Sequence, residues 1–134
     1  MKKIGIVIAM EEEFQAIENK IKEIKVHEEK GLKFFEGKIG EKECVIVKSG
    51  VGKVNAARTT QAMIDNFDIE YIINMGASGS IANDLNIGDI VIGKYVVQHD
   101  FDITAFGHNK GYITGVQAIV NAANNSLRSE EHTS

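Results

Sequence analysis

The stretch Ile4-Gly5-Ile6-Val7-Ile8-Ala9-Met10-Glu11-Glu12-Glu13 decides the fold. Its first six residues form a continuous apolar run, typical of strands that are buried on both faces of an α/β sheet. From Glu11 the pattern changes, because apolar residues now recur at steps of three and four between charged ones: Phe14, Ile17, Ile21 and Ile24. The stretch therefore predicts a central strand and then an amphipathic helix of roughly three to four turns.

Apolar runs and glycine-containing turns alternate along the rest of the chain. They predict a hairpin around Gly40-Glu41-Lys42, a helix over residues 54–67 and strands over residues 71–75 and 89–97. Strands that alternate with helices favour a mostly parallel or mixed sheet with helices packed on it. We therefore predict an α/β fold, a three-layer sandwich in which helices flank a central mixed sheet.

Composition excludes several classes of protein. The 134 residues are 43% hydrophobic and 25% charged, which is typical of a globular domain. The net charge of -4, with basic and acidic residues interspersed, argues against a nucleic-acid partner. No segment approaches the ~20 apolar residues of a membrane helix, so no membrane partner is expected. Cys44, the only cysteine, is predicted to be buried, and a reducing, cytoplasmic location is expected.

The three consecutive glutamates after the first strand have two interpretations. Carboxylates in the first turn of a helix interact favourably with its dipole, so Glu11, Glu12 and Glu13 could simply stabilise the helix start. Ligands of open α/β sheets, however, bind at the carboxyl ends of strands. A glutamate there could act as a general base toward water.

Two glycine loops, residues 49–53 and 76–80, each follow a predicted strand. Each is either a tight turn or a ligand-binding loop. The first is not a Walker A loop, because Val54 occupies the position that this motif gives to Ser or Thr. Since both loops lie after strands, they point to the same edge of the sheet and to a pocket there.

His99, Asp100 and Asp102 suggest a metal site, since their side chains are ordinary ligands. On an extended strand, however, His99 and Asp100 point to opposite faces. Two carboxylates alone are a poor site, so we expect no metal and no other cofactor.

Five segments together carry a resemblance to a known family: residues 4–13, 49–53, 74–80, 88–91 and 99–107. In this order and at similar spacing they resemble the 5′-methylthioadenosine/S-adenosylhomocysteine nucleosidases. The most specific parts are Ala-Met-Glu-Glu-Glu and the His-Asp-x-Asp-x-Thr-Ala-Phe-Gly segment. The resemblance implies hydrolysis of an N-glycosidic bond with water as the nucleophile, which releases adenine and a thioribose.

The same resemblance implies roles for particular residues. Glu13 would be the catalytic residue that deprotonates the attacking water, and Met10 and Val51 would line the ribose and thio-substituent region. Family members act as homodimers, in which a loop of one subunit completes the pocket of the other. The remaining implied residues are Ala77, Ser78 and Gly79 along the nucleoside, and Ile103 and Phe106 contributed to the partner subunit.

Part of the family's machinery lies beyond the resemblance. Glycoside cleavage needs an acid as well as a base, and the family supplies its acid, an aspartate, and a ribose-binding Met-Glu element from the C-terminal half. We therefore interpret residues 1–127 as the N-terminal part of a single nucleosidase domain, a truncated piece that is expected to be inactive. Residues 128–134 resemble the in-frame translation of a common sequencing adapter; the alternative is a natural polar tail.

Other functions stay open at this point. One is a phosphate-dependent nucleoside phosphorylase or a nucleosidase of futalosine type. Another, from a different class, is a catalytically dead module that binds nucleosides or dimerises.

Overall fold

The computed structural model describes residues 2–111 and 128–133. The chain divides into two compact units, Met1–Gly79 and Ser80–Ser134. Part of the predicted nucleosidase domain, residues 112–127, lies outside the described residues. The elements of the first unit are β1 (Lys3–Ile8), α1 (Glu11–Glu18), β2 (Ile21–Glu29), β3 (Leu32–Ile39), β4 (Lys42–Lys48), α2 (Lys53–Asn66) and β5 (Ile69–Asn74).

The first unit contains a five-stranded mixed sheet with the order β2-β3-β4-β1-β5. β1 pairs in parallel with both β4 and β5, whereas β3 pairs antiparallel with both β2 and β4. The predicted hairpin is confirmed, with β3 and β4 joined at Gly40, whose φ of 61° favours glycine. β4 then connects through α2 to β5, on the far side of β1.

The core lies on both faces of this sheet, because successive side chains of a strand point to opposite sides. On one face Ile6, Ile8 and Ile46 pack with Phe14 of α1. On the other face Val7, Val45 and Val47 pack with Met63 of α2. The two helices thus cover opposite faces, and the predicted α/β three-layer sandwich is confirmed. Cys44 is buried as predicted, and its burial raises the pKa of the thiol.

The predicted length of the first helix is wrong. α1 ends at Glu18, and β2 begins at Ile21, which pairs with Ile39 of β3. Ile21 and Ile24 fit a helical period, but Ile24 and Val26 equally fit the two-residue period of a strand. Pairing with β3 decides between them, and the β2–β3 turn has positive φ at both Lys30 (50°) and Gly31 (78°), as a two-residue hairpin turn requires.

The strand predicted over residues 71–75 is present as β5, but it is not buried. β5 lies at the edge of the five-stranded sheet. Its apolar side chains Tyr71, Ile72 and Ile73 are 37–58% exposed. The apolar pattern therefore predicts the strand, but it does not determine whether the side chains of the strand are buried.

The second unit contains β6 (Val91–Val97), a short 3-10 helix (Thr104–Phe106) and β7 (Arg128–Thr133). β6 confirms the third predicted apolar strand and pairs in parallel with β7. His99 and Asp100 lie in a turn after β6, so the assumption that they belong to an extended strand is wrong. Among the described residues, no helix is long and apolar enough to cross a bilayer.

Candidate active site at the carboxyl ends of the parallel strands

The carboxyl ends of β1, β4 and β5 meet at one edge of the sheet because the three strands are parallel. Backbone hydrogen bonds continue beyond the strands at this edge. Ser49 N donates to Ile8 O at 2.8 Å, and Met75 N donates to Val7 O at 3.2 Å. The loops after β4 and β5 therefore flank the end of β1, and the predicted convergence of the two glycine loops is supported by this pairing.

Glu13 lies at this edge, in the first turn of α1, and both of its carboxylate oxygens accept hydrogen bonds from backbone N–H groups. Met10 N donates to Oε2 at 3.2 Å, and Ala77 N donates to Oε1 at 2.8 Å. Hydrogen bonds to a charged acceptor are stronger than neutral ones, so the pair fixes the orientation of the carboxylate. Each oxygen keeps further lone-pair capacity, with which the half-buried Glu13 can accept a proton from water.

Glu11 has a different role, although it belongs to the same turn. It forms an ion pair with Lys48, at the carboxyl end of β4. The hydrogen bond from Lys48 lowers the pKa of the Glu11 carboxyl. Lys48 Nζ also lies 4.8 Å from the ring centroid of Phe14, within cation–π range. Lys48 therefore holds the start of α1 against β4 through Glu11. Glu13, two residues later, is the candidate base.

The loop between β4 and α2 is fixed by its own hydrogen bonds. Gly50 and Gly52 have φ values of 80° and 106°, a region that favours glycine. Asn55, in the first turn of α2, donates from Nδ2 to Val51 O at 2.8 Å. Val51, predicted to line the site, is 71% exposed. Sequence reasoning missed Asn55, although Asn side chains can hydrogen-bond backbone groups three or four residues earlier.

The other predicted site residues fall into two groups. Met10 and the loop residues Ala77, Ser78 and Gly79 are exposed, and the backbone of Met10 and Ala77 contacts Glu13. Ile103 and Phe106 belong to the second unit, where Ile103 precedes the 3-10 helix and Phe106 ends it. Phe106 is 80% exposed.

Asp102, considered above as a metal ligand, is engaged locally instead. Thr104 donates to Asp102 Oδ1 from its backbone N at 3.0 Å and from its hydroxyl at 2.7 Å. The backbone hydrogen bond, with the hydroxyl, lowers the pKa of Asp102. Within residues 2–111 and 128–133, no group of three or more candidate ligands could hold a metal ion.

A broad concavity of about 570 Å³ lies elsewhere in the first unit. Its lining includes His27, Glu36 and Phe67 and does not include Glu13. We place the candidate site at the strand ends, because an oriented carboxylate is a stronger indication of chemistry than volume alone.

The family is established by comparison with known proteins. A family model described as the phosphorylase superfamily matches residues 3–132. The chain belongs to this superfamily. It is similar to the 5′-methylthioadenosine/S-adenosylhomocysteine nucleosidase of Geobacillus sp. (strain WCH70), with 40% identity over 116 residues that cover 87% of this chain and 50% of the relative. The resemblance to nucleosidases found in the sequence is therefore confirmed.

Solved structures of this superfamily share the fold. The S-adenosylhomocysteine nucleosidase of Streptococcus pyogenes, in complex with 5-methylthiotubericidin, matches with a TM-score of 0.80 and 38% identity over 85% of this chain and 48% of that one. A futalosine hydrolase mutant of Helicobacter pylori strain 26695 matches with a TM-score of 0.76 and 34% identity over 87% and 51%. The chain spans about half the length of the curated relatives it matches.

Proposed function

We propose that the complete protein is a nucleosidase that hydrolyses the N-glycosidic bond of 5′-methylthioadenosine and S-adenosylhomocysteine and serves methionine salvage. The observation that carries the proposal is the Glu13 carboxylate, held by two backbone N–H groups at the carboxyl ends of parallel strands. The names of the similar proteins indicate the substrate class. The products are adenine and a thioribose.

In this mechanism Glu13 is the general base. It accepts a proton from a water molecule as the water oxygen attacks the anomeric carbon of an oxocarbenium-like transition state. The fixed orientation of the carboxylate means that little reorganisation is needed when the proton moves. Departure of adenine requires protonation by an acid, which the family resemblance assigns to an aspartate of the C-terminal half. No cofactor takes part.

The substrate contacts in the proposal follow the family resemblance. Met10 and Val51 lie against the ribose and thio-substituent, and Ala77, Ser78 and Gly79 lie along the nucleoside. In a homodimer, Ile103 and Phe106 cover the alkylthio group bound by the partner subunit. Val51 and Phe106 are exposed, so their side chains are accessible to a ligand or to a partner subunit.

We further propose that residues 1–127 form part of one nucleosidase domain and that the protein acts in the cytoplasm. The buried free thiol of Cys44 supports a reducing compartment. Residues 128–134 are proposed to be non-native in origin. Sequencing the gene from genomic DNA across codon 128 checks this: natural codons for other residues are expected there, and codons for the same seven residues would contradict the proposal.

A second candidate is a nucleosidase of futalosine type, which the likeness to the Helicobacter pylori futalosine hydrolase favours. A phosphorylase is a weaker candidate, because the negative charge of Glu13 at the strand ends would repel a phosphate nucleophile.

The test uses the complete gene product, with Glu13→Gln as the variant and Glu12→Gln as its control. Both changes remove one carboxylate from the first turn of α1, but Glu12 is exposed. Wild type should release adenine from methylthioadenosine without phosphate, Glu13→Gln should lose roughly 10²- to 10⁴-fold in kcat, and Glu12→Gln should stay within about threefold.

The possible results separate the candidates. Adenine release that requires phosphate would indicate a phosphorylase, and turnover of futalosine alone would indicate the second candidate. Nucleoside binding without turnover would indicate a catalytically dead module. Full activity of Glu13→Gln would remove Glu13 from the mechanism.

A further inference from the structure

Glu13 lies in a space that would otherwise hold a side chain of residue 76. A Cβ atom added to Gly76 would lie 2.6 Å from Glu13 Oε1, 3.0 Å from Cδ and 3.1 Å from Oε2. Carbon and oxygen atoms that are not bonded to each other pack at about 3.3 Å or more. The carboxylate therefore occupies the volume that any other residue at position 76 would fill.

The backbone at Gly76 does not itself require glycine. Gly50 and Gly52 have positive φ, whereas Gly76 is not among the positive-φ glycines of the described residues. An L-residue could adopt the backbone conformation at position 76 without the strain expected at the other two. The close approach of the Glu13 side chain is thus the reason that the structure offers for glycine at this position.

We infer that Gly76 is a positioning residue for the general base: its missing side chain lets the Glu13 carboxylate reach the N–H of Ala77. The inference rests on the proposed role of Glu13. Gly76 supplies the space, and the next residue supplies the donor, 2.8 Å from Oε1. The loop after β5 thereby sets the position of a side chain that belongs to α1.

Substitution by alanine should move the carboxylate and leave the fold intact. The atoms in the way are the end of a flexible side chain and not backbone. Glu13 is only half-buried, so its carboxylate has room to swing away and lose the hydrogen bond from Ala77. Because a misplacement of about 1 Å can cost about 10²-fold in rate, we expect kcat to fall by roughly 10- to 100-fold. KM should change by less than about threefold, since the proposed effect falls on the reacting water and not on substrate binding.

The experiment compares Gly76→Ala with Gly93→Ala in the complete gene product. Gly93 is a matched control, because an added Cβ meets nothing within 4 Å and φ is not positive. We expect Gly93→Ala to keep kcat within about twofold, as a methyl group in open space disturbs no contact. A wild-type kcat for Gly76→Ala would overturn the inference.

A second pair of variants separates displacement of the carboxylate from general damage to the loop. The aspartate of Glu13→Asp is one methylene shorter, so its carboxylate does not reach the added methyl group. Gly76→Ala should therefore slow the Glu13 enzyme but have little further effect in the Glu13→Asp background, which is a non-additive result. Equal slowing in both backgrounds would overturn the inference.

The amide proton of Ala77 reports on the geometry independently of activity. In NMR spectra it should resonate downfield in the wild type, because it donates to a charged oxygen, and should move upfield in both Glu13→Gln and Gly76→Ala. If Glu13→Gln remains active while Gly76→Ala still moves this signal, the proposed role of Glu13 as the base is wrong. The inference that Gly76 positions the carboxylate is then still supported. If Gly76→Ala leaves the signal in place, the inference is wrong whatever the activity.

Discussion

Two glutamates near opposite ends of β1, Glu13 and Glu36, show how the same side chain is used in two ways. Glu13, beyond the carboxyl end, is oriented by neutral backbone N–H groups. Glu36 lies near Lys3, at the start of β1, and its partners are cationic or titratable. Lys3 Nζ lies 3.0 Å from Glu36 Oε1, and His27 Nε2 hydrogen-bonds Glu36 Oε2.

The type of partner decides what each carboxylate can do. Burial alone would raise the pKa of Glu36, but the hydrogen bonds and charges of Lys3 and His27 outweigh it and hold the pKa below its usual range. Glu36 cannot accept a proton without weakening these interactions, so it is suited to holding strands together. Backbone amides orient Glu13 without supplying a whole positive charge. The hydrogen-bond donors around a carboxylate therefore distinguish a structural glutamate, such as Glu36, from a candidate base, such as Glu13.

The largest expected effect comes from exchanging the two carboxylates for amides. Glu13→Gln should lower kcat of the complete protein by roughly 10²- to 10⁴-fold and leave stability nearly unchanged. Glu36→Gln should leave kcat within about threefold and lower the free energy of unfolding by about 1 kcal/mol, since its ion pairs are partly solvated. Kinetics and urea unfolding of both variants check this. An inactive Glu36→Gln variant would contradict the assignment of a structural role to Glu36 and a catalytic role to Glu13.

A second prediction tests the middle of β1, where Gly5 allows α2 to approach. A Cβ atom at Gly5 would lie 2.4 Å from Met63 Sδ, within the core. Gly5→Ala should lower the free energy of unfolding by about 1–3 kcal/mol, as overpacking usually does. Urea unfolding measures this, with Gly93→Ala as the control. Stability equal to that of the control would show that the core can shift to accept the methyl group.

The third prediction concerns the dependence of stability on pH. Because the pKa of Glu36 is lowered on folding, its contribution to stability is present above the unfolded value of 4.5 and is lost as the pH falls through the folded value. Glu36→Gln should therefore lose less stability than wild type between pH 7 and about pH 3. Urea unfolding at both pH values checks this, and parallel losses in the two proteins would contradict it.

The smallest expected effect concerns Thr59, a polar side chain that, within the described residues, lacks a hydrogen-bond partner. Thr59 is fully buried in α2, one turn before Met63, and its hydroxyl is unsatisfied. Thr59→Val removes the hydroxyl at nearly constant shape, so the free energy of unfolding should rise by about 1 kcal/mol or less. Thr59→Ser is the control, since it keeps the hydroxyl and removes a methyl group. Thermal unfolding should rank valine above threonine and threonine above serine, and a lower melting temperature for valine would indicate a hidden partner.

Much of the fold could be predicted from local patterns. β1 is a long apolar run next to a clear change of period, and the β3–β4 hairpin is marked by Gly40, so local sequence sufficed. The boundary between α1 and β2 was not predicted, because Ile24 satisfies both periods. The signal that was overlooked is Lys30-Gly31, which forms the turn of the β2–β3 hairpin.

The candidate site was predictable only in part. The position after a buried strand made the three glutamates candidate bases, and the family resemblance singled out Glu13 among them. The donor that fixes it, Ala77, is 64 residues further along the chain, and only the pairing of β1 with β5 brings the two together. The reason for glycine at position 76 is likewise a long-range contact, which no local pattern contains.

The short connection between β1 and α1 has a consequence for how this chain can vary. Only Ala9 and Met10 separate the strand from the helix. One residue deleted there would turn every following side chain of α1 by about 100° around the helix axis. Glu13 would then face away from Ala77, while the new residue facing it would come from the next position along the helix. The site therefore requires this spacing between strand and helix as well as the glutamate, and shortening the loop by one residue would replace the base with Phe14.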